Sequence, residues 1–220
     1  MIVSERFTTY CNALNPGNTP LLEEIEREAR ADHVPVIRRE TQNLLKTLLA
    51  AVCPEKILEV GTGVGFSALL MAEYNPCPCR ITTIENYEKR IPEARKNFVR
   101  AGREEQILLL EGDAAEILPS LQPPYDFFFM DAAKGQYLAF LKEAYRLLAP
   151  GGMLVSDNVL QGGDVLESRY AVPRRDRTIH KRMREYLYEL THSPVWTTCL
   201  LPVGDGVSVS IKMAGKEKQA

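Results

Sequence analysis

From Lys56 onward, short apolar runs alternate with amphipathic helical segments, and this alternation limits the fold more than any other feature of the chain. The runs have the length of strands, and their unbroken apolar character is typical of strands covered on both faces. They span residues 56–60, 80–85, 106–112, 125–131 and 152–158, with helical segments at 66–74, 87–102, 114–121 and 136–150. Strands that alternate with helices predict an α/β fold with a doubly wound, mostly parallel sheet.

The N-terminal part of the chain reads differently from this core. Residues 1–52 are predicted as a helical segment, because apolar side chains recur at helical spacing within 19–33 and 38–52. Residues 53–213 then form the core. A chain of this length suits one domain, so we expect a single domain over residues 1–220.

The C-terminal part adds an antiparallel element to the predicted sheet. A helix over 175–193 precedes two β-type runs, 195–203 and 206–213, which are separated only by a short turn around Gly204-Asp205. Two strands joined this closely pair as a hairpin. The predicted sheet therefore has seven strands, and the tail over 214–220 is expected to be frayed.

Composition excludes several classes of protein. The 27 basic and 29 acidic residues give a formal net charge of −2, so any basic surface for nucleic acid must be local. No apolar stretch approaches the roughly 18 residues of a membrane span. The five cysteines are odd in number, and Cys77-Pro78-Cys79 lacks redox or zinc spacing, which predicts free thiols in a reducing, cytoplasmic compartment.

The stretch LEVGTGVGFS, residues 58–67, has the form of a strand, a glycine turn and a helix start. Its glycines allow a sharp turn and close approach of a ligand to the backbone. A dinucleotide fingerprint would have a third glycine where Phe66 stands, and Glu59 would repel a pyrophosphate. The pattern therefore favours a ligand with an ammonium group, while a tight turn without a ligand stays open as an alternative.

Acidic residues also end the second and third predicted strands. Glu85 follows the glycine turn at the distance of a carboxylate that binds ribose hydroxyls. Gly112, Asp113 and Ala114 lie where the edge of an adenine could be bound. An acidic site with a ribose ligand and no need of phosphate suits S-adenosylmethionine better than NAD.

Three oxygen-bearing side chains end the fourth and fifth predicted strands. Asp131 ends one strand, and Asp157 and Asn158 end the next, so they should meet at the same edge of the sheet. Such ligands suit a hard divalent cation such as Mg²⁺, although a single aspartate of this kind could also be a helix cap. Lys134 lies at the same mouth, where a nearby cation disfavours the ammonium form and favours a base over an ordinary solvated lysine.

The segments ILEVGTGVGFSALLMA, MDAAKGQY, SDNVLQGG and LPVGDGVSVSIK together resemble the cation-dependent O-methyltransferases of the catechol and caffeoyl-CoA type, over about residues 30–213. The resemblance implies a class I methyltransferase (Rossmann-like) fold, a homodimer, a metal on Asp131, Asp157 and Asn158, and Lys134 as general base with Asp131 beside it. It also implies S-adenosylmethionine contacts from Ile37, Glu59, Gly61, Ser67, Glu85, Asp113, Ala114 and Asp131. One departure is Cys199, which stands near the place of a glutamate that binds a substrate hydroxyl in catechol enzymes.

Residues 169–186 contain seven lysines and arginines against Asp176 and Glu185, directly after the predicted metal strand. Such a cluster is a candidate for binding phosphates, with a solvated helix face as the alternative. Together with DAAKGQY, DNVL and PVGDG, the cluster resembles the bacterial tRNA 5-hydroxyuridine methyltransferases. That resemblance implies an anticodon loop of tRNA as partner, bound by Arg174, Arg175, Arg177, Lys181 and Arg184. The alternatives are an enzyme for small phenols such as catechols and a nucleotide-binding module without catalysis.

Overall fold

The structure is a computed structural model that describes residues 3–215. Over these residues the helices are α1 Glu5–Ala13, α2 Pro20–Ala31, α3 Arg39–Val52, α4 Phe66–Tyr74, α5 Ile91–Arg100, α6 Ala114–Ile117, α7 Tyr137–Leu147 and α8 Arg177–His192. The strands are β1 Lys56–Val60, β2 Arg80–Glu85, β3 Ile107–Glu111, β4 Tyr125–Met130, β5 Leu148–Ser156, β6 Trp196–Leu201 and β7 Val207–Lys212. Short 3-10 turns cover 118–120, 134–136, 161–166 and 174–176.

The seven strands form one sheet in the order β3-β2-β1-β4-β5-β7-β6. The first five in this order are parallel, whereas β7 runs antiparallel to both β5 and β6. The predicted α/β fold with a mostly parallel sheet and a C-terminal hairpin is confirmed. Because the chain leaves β1 towards β2 on one side and later returns to β4 on the other, a crevice opens at the carboxyl ends of these strands.

The central position of strand β4 in the sheet explains why residues 127–130 are all apolar. Phe127 and Phe129 belong to the hydrophobic core on one face of the sheet, and Phe128 and Met130 belong to the core on the other. All four side chains are fully buried. Helices therefore cover both faces, and the strand ends that follow the apolar run are held rigidly.

Among the element boundaries that differ from the prediction, two have a clear cause in the structure. Helix α5 begins at Ile91 rather than at residue 87, because the amides of Asn86 and Tyr87 bind the Glu85 carboxylate in a turn. Strand β5 begins at Leu148 rather than at residue 152, because Leu148 already pairs with Tyr125 across an irregular register. A periodicity argument detects neither interaction.

The prediction of five free thiols is wrong. Cys53 and Cys77 form a disulfide, with their Cα atoms 5.4 Å apart, while Cys11, Cys79 and Cys199 are free. Cys53 occupies the left-handed position that ends α3, which turns it towards the loop before β2. The fold therefore joins cysteines that are 24 residues apart in the chain. Their pairing removes the argument from free thiols, and a cytoplasmic location stays a prediction.

Within residues 3–215, every helix is too short or too polar to cross a lipid bilayer. The predicted frayed tail falls mostly on residues 216–220, which lie outside the described residues.

Candidate active site

A cavity of about 800 Å³ opens at the carboxyl ends of the parallel strands. Its walls come from the strand ends, from the turns that follow them and from the loop over residues 34–38 before α3. The lining contains most of the predicted cofactor contacts, namely Ile37, Gly61, Ser67, Glu85, Asp113, Ala114 and Asp131. The fold thus brings together residues that the sequence spreads over almost a hundred positions.

The glycine turn is pressed against the neighbouring strand end. Gly61 has a φ of 100°, and a Cβ atom added there would overlap the carbonyl oxygen of Asp131. Gly65 is the N-cap of α4, with a φ of 84°, and an added Cβ would lie 2.5 Å from the Phe98 ring. Both positions therefore require glycine for packing, and the turn can lie close to a ligand as well.

Glu85 fastens the glycine turn to the end of β2. Its Oε2 accepts a hydrogen bond from the Gly63 amide at 2.7 Å, and its Oε1 accepts from the amides of Asn86 at 3.0 Å and Tyr87 at 2.9 Å. These bonds fix the carboxylate at the cavity wall. A carboxylate held in this way is a pre-organised acceptor for the hydroxyls of a ribose.

Glu59 is fully buried and is not part of the cavity lining. Its Oε2 accepts a hydrogen bond from the Thr83 hydroxyl at 2.5 Å, and its Oε1 is buried without a hydrogen-bond partner among the described residues. Burial raises the pKa of Glu59 to about 7, against the opposing effect of the Ser67 and Thr83 hydroxyls. Glu59 therefore lies behind Ser67, which itself faces the cavity, and the predicted contact of Glu59 with the cofactor stays a prediction.

Asp131, Asp157 and Asn158 do meet, as predicted from their strand ends. The Asp157 amide donates to the Met130 carbonyl at 3.0 Å, which keeps the ends of β4 and β5 in register. Asn158 Nδ2 donates to Asp131 Oδ1 at 3.0 Å, and the Asn158 amide donates to Asp157 Oδ1 at 2.8 Å. The backbone of Asn158 is left-handed, with a φ of 60°, a conformation that asparagine tolerates better than most residues.

The two carboxylates create a local excess of negative charge. Burial raises the pKa of Asp157 to about 7, and the charge of Asp131 adds to this effect. Burial also raises the pKa of Asp131, while the Asn158 hydrogen bond and the Lys134 charge oppose the shift. Two buried carboxylates in proximity favour a bound cation.

The chemistry of these side chains fits a hard divalent metal. Within residues 3–215, no three His, Cys, Asp or Glu side chains form a cluster that could hold a metal. The candidate site therefore consists of two carboxylates and the amide oxygen of Asn158. This all-oxygen, partial set suits Mg²⁺, which keeps several waters.

Tyr137 connects the ends of β4 and β5 through its hydroxyl, a role that the sequence argument missed. Its buried hydroxyl donates to the Asp157 carbonyl oxygen at 3.0 Å and lies 3.3 Å from that of Met130. The Tyr186 ring packs edge to face against it at 5.4 Å, and the Tyr186 hydroxyl bonds Ser156. Tyr137 ends the motif MDAAKGQY, but only the structure reveals what it contacts.

Arg38 and Asp205 are lining residues that the sequence argument also missed. They form an ion pair of 2.9 Å between the loop before α3 and the β6–β7 turn. The negative charge of Asp205 contributes to the raised pKa of Asp157, so Asp205 lies at the acidic end of the cavity. Cys199, by contrast, is exposed on β6 and outside the lining. No sequence motif includes both Arg38 and Asp205, because their loops are far apart in the chain.

The five predicted tRNA contacts lie on α8 and the turn before it, and none of them lines the cavity. Arg174 and Arg175 are exposed, and Lys181 lies 3.5 Å from Glu185. Arg177 and Arg184 donate to backbone carbonyls of the preceding segment. Arg177, Lys181 and Arg184 recur at helical spacing and therefore lie on one face of α8. Arg177 and Arg184 also stabilise the local backbone.

Arg182 connects this helix to the end of the cavity that contains Lys134. Its guanidinium donates to the Gly135 carbonyl at 3.2 Å, next to Lys134 in the turn over 134–136. Lys134 itself lines the cavity. The basic helix is thus adjacent to the cavity without forming its wall.

Known proteins resemble this chain over most of its length. A family model described as O-methyltransferase matches residues 14–213. A catechol O-methyltransferase of Niastella koreensis is 40% identical over 131 residues, which cover 57% of this chain and 59% of that protein, less than two thirds of its length. The catechol O-methyltransferase of Mycobacterium tuberculosis is 33% identical over 68% of this chain and 70% of that protein. The SAH-bound structure of a Podospora anserina methyltransferase has a TM-score of 0.85 and 26% identity and covers 94% of both chains.

Proposed function

Because this chain belongs to the O-methyltransferase family, we propose that it methylates 5-hydroxyuridine in the anticodon loop of tRNA to 5-methoxyuridine. Members of this family transfer a methyl group from S-adenosylmethionine to oxygen. The family therefore argues against the alternative of a nucleotide-binding module without catalysis. The tRNA acceptor is supported by one observation above all. An exposed basic surface adjoins the turn that contains Lys134, through the bond from Arg182 to Gly135.

The cavity residues would hold S-adenosylmethionine along the strand ends. Glu85 would accept hydrogen bonds from the ribose hydroxyls, and Asp113 and Ala114 would border the adenine. The glycine turn and Ser67 would lie along the amino acid part, above buried Glu59. These roles are consistent with the residues that line the cavity.

We assign a divalent cation, Mg²⁺ or a relative, to Asp131, Asp157 and Asn158. When bound, such a cation lowers the pKa of a coordinated hydroxyl and orients two neighbouring oxygens. Lys134, which lines the same end of the cavity, would take the proton from the acceptor hydroxyl. Tyr137 would keep the acidic pair in place by holding the ends of both strands.

The acceptor must offer a hydroxyl next to a second oxygen. In 5-hydroxyuridine the ring hydroxyl lies beside a ring carbonyl, so the base can present two adjacent oxygens as a catechol does. A base in a single-stranded loop can be turned out of its stack into such a cavity. The exposed arginines would then bind the phosphates of the loop.

The test compares hypomodified tRNA with a catechol, at two salt concentrations. Mass spectrometry should detect 5-methoxyuridine in the tRNA, and binding should weaken with salt by a log–log slope of about −0.7 per phosphate contact. The double variant Arg174→Glu, Arg175→Glu should raise the KM for tRNA and flatten that slope. A catechol methylated faster than tRNA, together with tRNA binding that ignores the arginines, would contradict the proposal.

Small catechol-like phenols are the second candidate acceptor. Two relatives are named catechol O-methyltransferases, and the five predicted tRNA contacts lie outside the cavity lining. A small phenol would reach the acidic pair without touching these residues. Such an enzyme should turn over catechol at the same rate with and without the two arginine substitutions.

We also propose that the protein acts as a homodimer, as its resemblance to the family suggests, and that it is located in the cytoplasm. Light scattering should give twice the chain mass of 24.8 kDa. A mass of one chain at micromolar concentration would contradict the dimer, and fractionation of cells tests the location.

A further inference from the structure

Tyr170 is an aromatic residue that the site does not use. It lies in the turn between β5 and α8, and 85% of its surface is exposed, more than for any other large hydrophobic residue that the structure describes. It does not line the cavity. Burial in the core of this chain therefore cannot explain an aromatic ring at this position.

The turn that presents Tyr170 is held by several bonds. The Tyr170 amide donates to the Ser168 hydroxyl at 3.3 Å, and the Ala171 amide donates to the Ser168 carbonyl at 2.9 Å. Arg177 donates to the carbonyls of Val172 at 3.1 Å and Tyr170 at 3.4 Å. The backbone below the ring is therefore fastened to the start of α8, and the side chain points to solvent.

The surroundings of the ring are strongly basic. Residues 169–186 contain seven lysines and arginines and two acidic residues, in a chain with a net charge of −2. The Arg177 guanidinium lies 5.8 Å from the centre of the Tyr170 ring, and Arg174 and Arg175 follow at the exposed end of the same turn. An accessible aromatic face among cations is complementary to a single nucleic acid strand, whose bases stack and whose phosphates pair with arginine.

We infer that Tyr170 is a stacking platform for an unpaired base of the RNA acceptor, next to phosphates bound by Arg174 and Arg175. This inference rests on the proposed tRNA function and adds to it a residue that binds a base outside the cavity. The turn begins at Ser168 and is fastened to the start of α8 by Arg177, and the same helix contacts Gly135 beside Lys134 through Arg182. A loop nucleotide on Tyr170 would therefore hold the strand while its neighbour enters the cavity.

Arg177 also has a structural role in this turn. Two of its donors are directed to carbonyls of the turn, so it supports the backbone below Tyr170, while its contact with tRNA stays a prediction. Stacking on Tyr170 releases no counterions, whereas phosphate contacts of Arg174 and Arg175 do. The ring and the two arginines are therefore separable by the salt dependence of binding.

The experiment measures binding of an anticodon stem-loop RNA by fluorescence anisotropy over a range of salt concentrations. Tyr170→Ala should raise the Kd about 5- to 150-fold, the range for the loss of one stacked base, without changing the salt slope. Tyr170→Phe retains the ring and should bind within about twofold of wild type. Tyr10→Ala is the matched control, because Tyr10 is 64% exposed on α1, and its Kd should stay that of wild type.

A 2-aminopurine in the loop provides a direct signal of stacking. Its fluorescence should be quenched by wild type and by Tyr170→Phe, and should stay bright with Tyr170→Ala. All variants should bind S-adenosylmethionine with wild-type affinity, because Tyr170 lies outside the cavity lining.

Several outcomes would overturn the inference. Equal RNA affinity of Tyr170→Ala and wild type would remove the platform while leaving the tRNA proposal intact. A wild type that binds no RNA would contradict both. Loss of affinity in Tyr170→Phe, loss of S-adenosylmethionine binding in Tyr170→Ala, or a changed mass in light scattering would each show that Tyr170 serves another purpose than stacking.

Discussion

Replacing Glu59 by glutamine should change how the stability of the protein depends on pH. Glu59 is fully buried behind the cavity, and burial raises the pKa of its carboxyl from the ordinary 4.5 to about 7. Glutamine has the shape of the protonated acid and cannot ionise. The variant Glu59→Gln should therefore keep the packing of the neutral form and lose only the titration.

The sign and size of the effect follow from the difference between the folded and unfolded states. Between pH 4.5 and 7 the folded protein retains a proton on Glu59 that the unfolded chain releases, so rising pH favours unfolding. Each tenfold difference in the ionisation constant corresponds to about 1.4 kcal/mol, so ionised Glu59 destabilises the fold by about 3 kcal/mol above pH 7. Relative to wild type, Glu59→Gln should gain about 1 kcal/mol at pH 5 and about 3 kcal/mol at pH 8.

Urea unfolding of the ligand-free protein at pH 5, 6, 7 and 8 measures this difference. Exposed Glu88 offers a matched control, and the difference between Glu88→Gln and wild type should stay flat over the same range. A constant difference between Glu59→Gln and wild type from pH 5 to 8 would refute the argument from burial. It would mean that Glu59 ionises normally in the folded protein.

Three further substitutions or treatments test other parts of the account. Glu85→Ala should weaken S-adenosylmethionine binding by roughly 1.5–3 kcal/mol for each ribose bond lost, and unchanged affinity in calorimetry would remove Glu85 from the site. The same variant should have a lower melting temperature, because three backbone amides lose their acceptor. Lys134→Ala should lower kcat by about 10²–10⁴ at neutral pH with partial rescue at higher pH, and a loss below about tenfold would leave Lys134 as a positioning residue. Reduction of the Cys53–Cys77 disulfide, or Cys53→Ser, should lower the free energy of unfolding by about 3 kcal/mol, whereas the control Cys199→Ser should leave it unchanged; equal stability with and without reductant contradicts this expectation.

The parallel core could be predicted from sequence because its signals are local. The bounds of β1, α4 and β2 agree with the prediction, since each apolar run ends where a turn residue begins. The meeting of Asp131 with Asp157 and Asn158 follows from the same logic, because neighbouring parallel strands end at one edge. Strand ends are therefore the most predictable part of the site.

Features that depend on the packing of distant loops could not be predicted. The pair of Arg38 and Asp205 joins two loops that no motif relates, and the disulfide of Cys53 joins a helix end to a turn. The resemblance to the family implies a cofactor contact from Glu59 but does not give the depth of its side chain. In the structure this side chain lies in the core behind Ser67, next to Thr83. Sequence gives the order of residues along a strand, but the depth of a side chain depends on its neighbours.

The proposed function requires a divalent cation on Asp131 and Asp157 for methyl transfer. The most direct test is the methyl-transfer rate of enzyme stripped with EDTA, before and after Mg²⁺ is added back, for wild type, Asp131→Asn and Asp157→Asn. We predict that stripped wild type is inactive and recovers with Mg²⁺, while neither variant recovers. Calorimetry should detect Mg²⁺ binding to wild type alone. Full activity of wild type in excess EDTA, or recovery of either variant with Mg²⁺, would contradict the account.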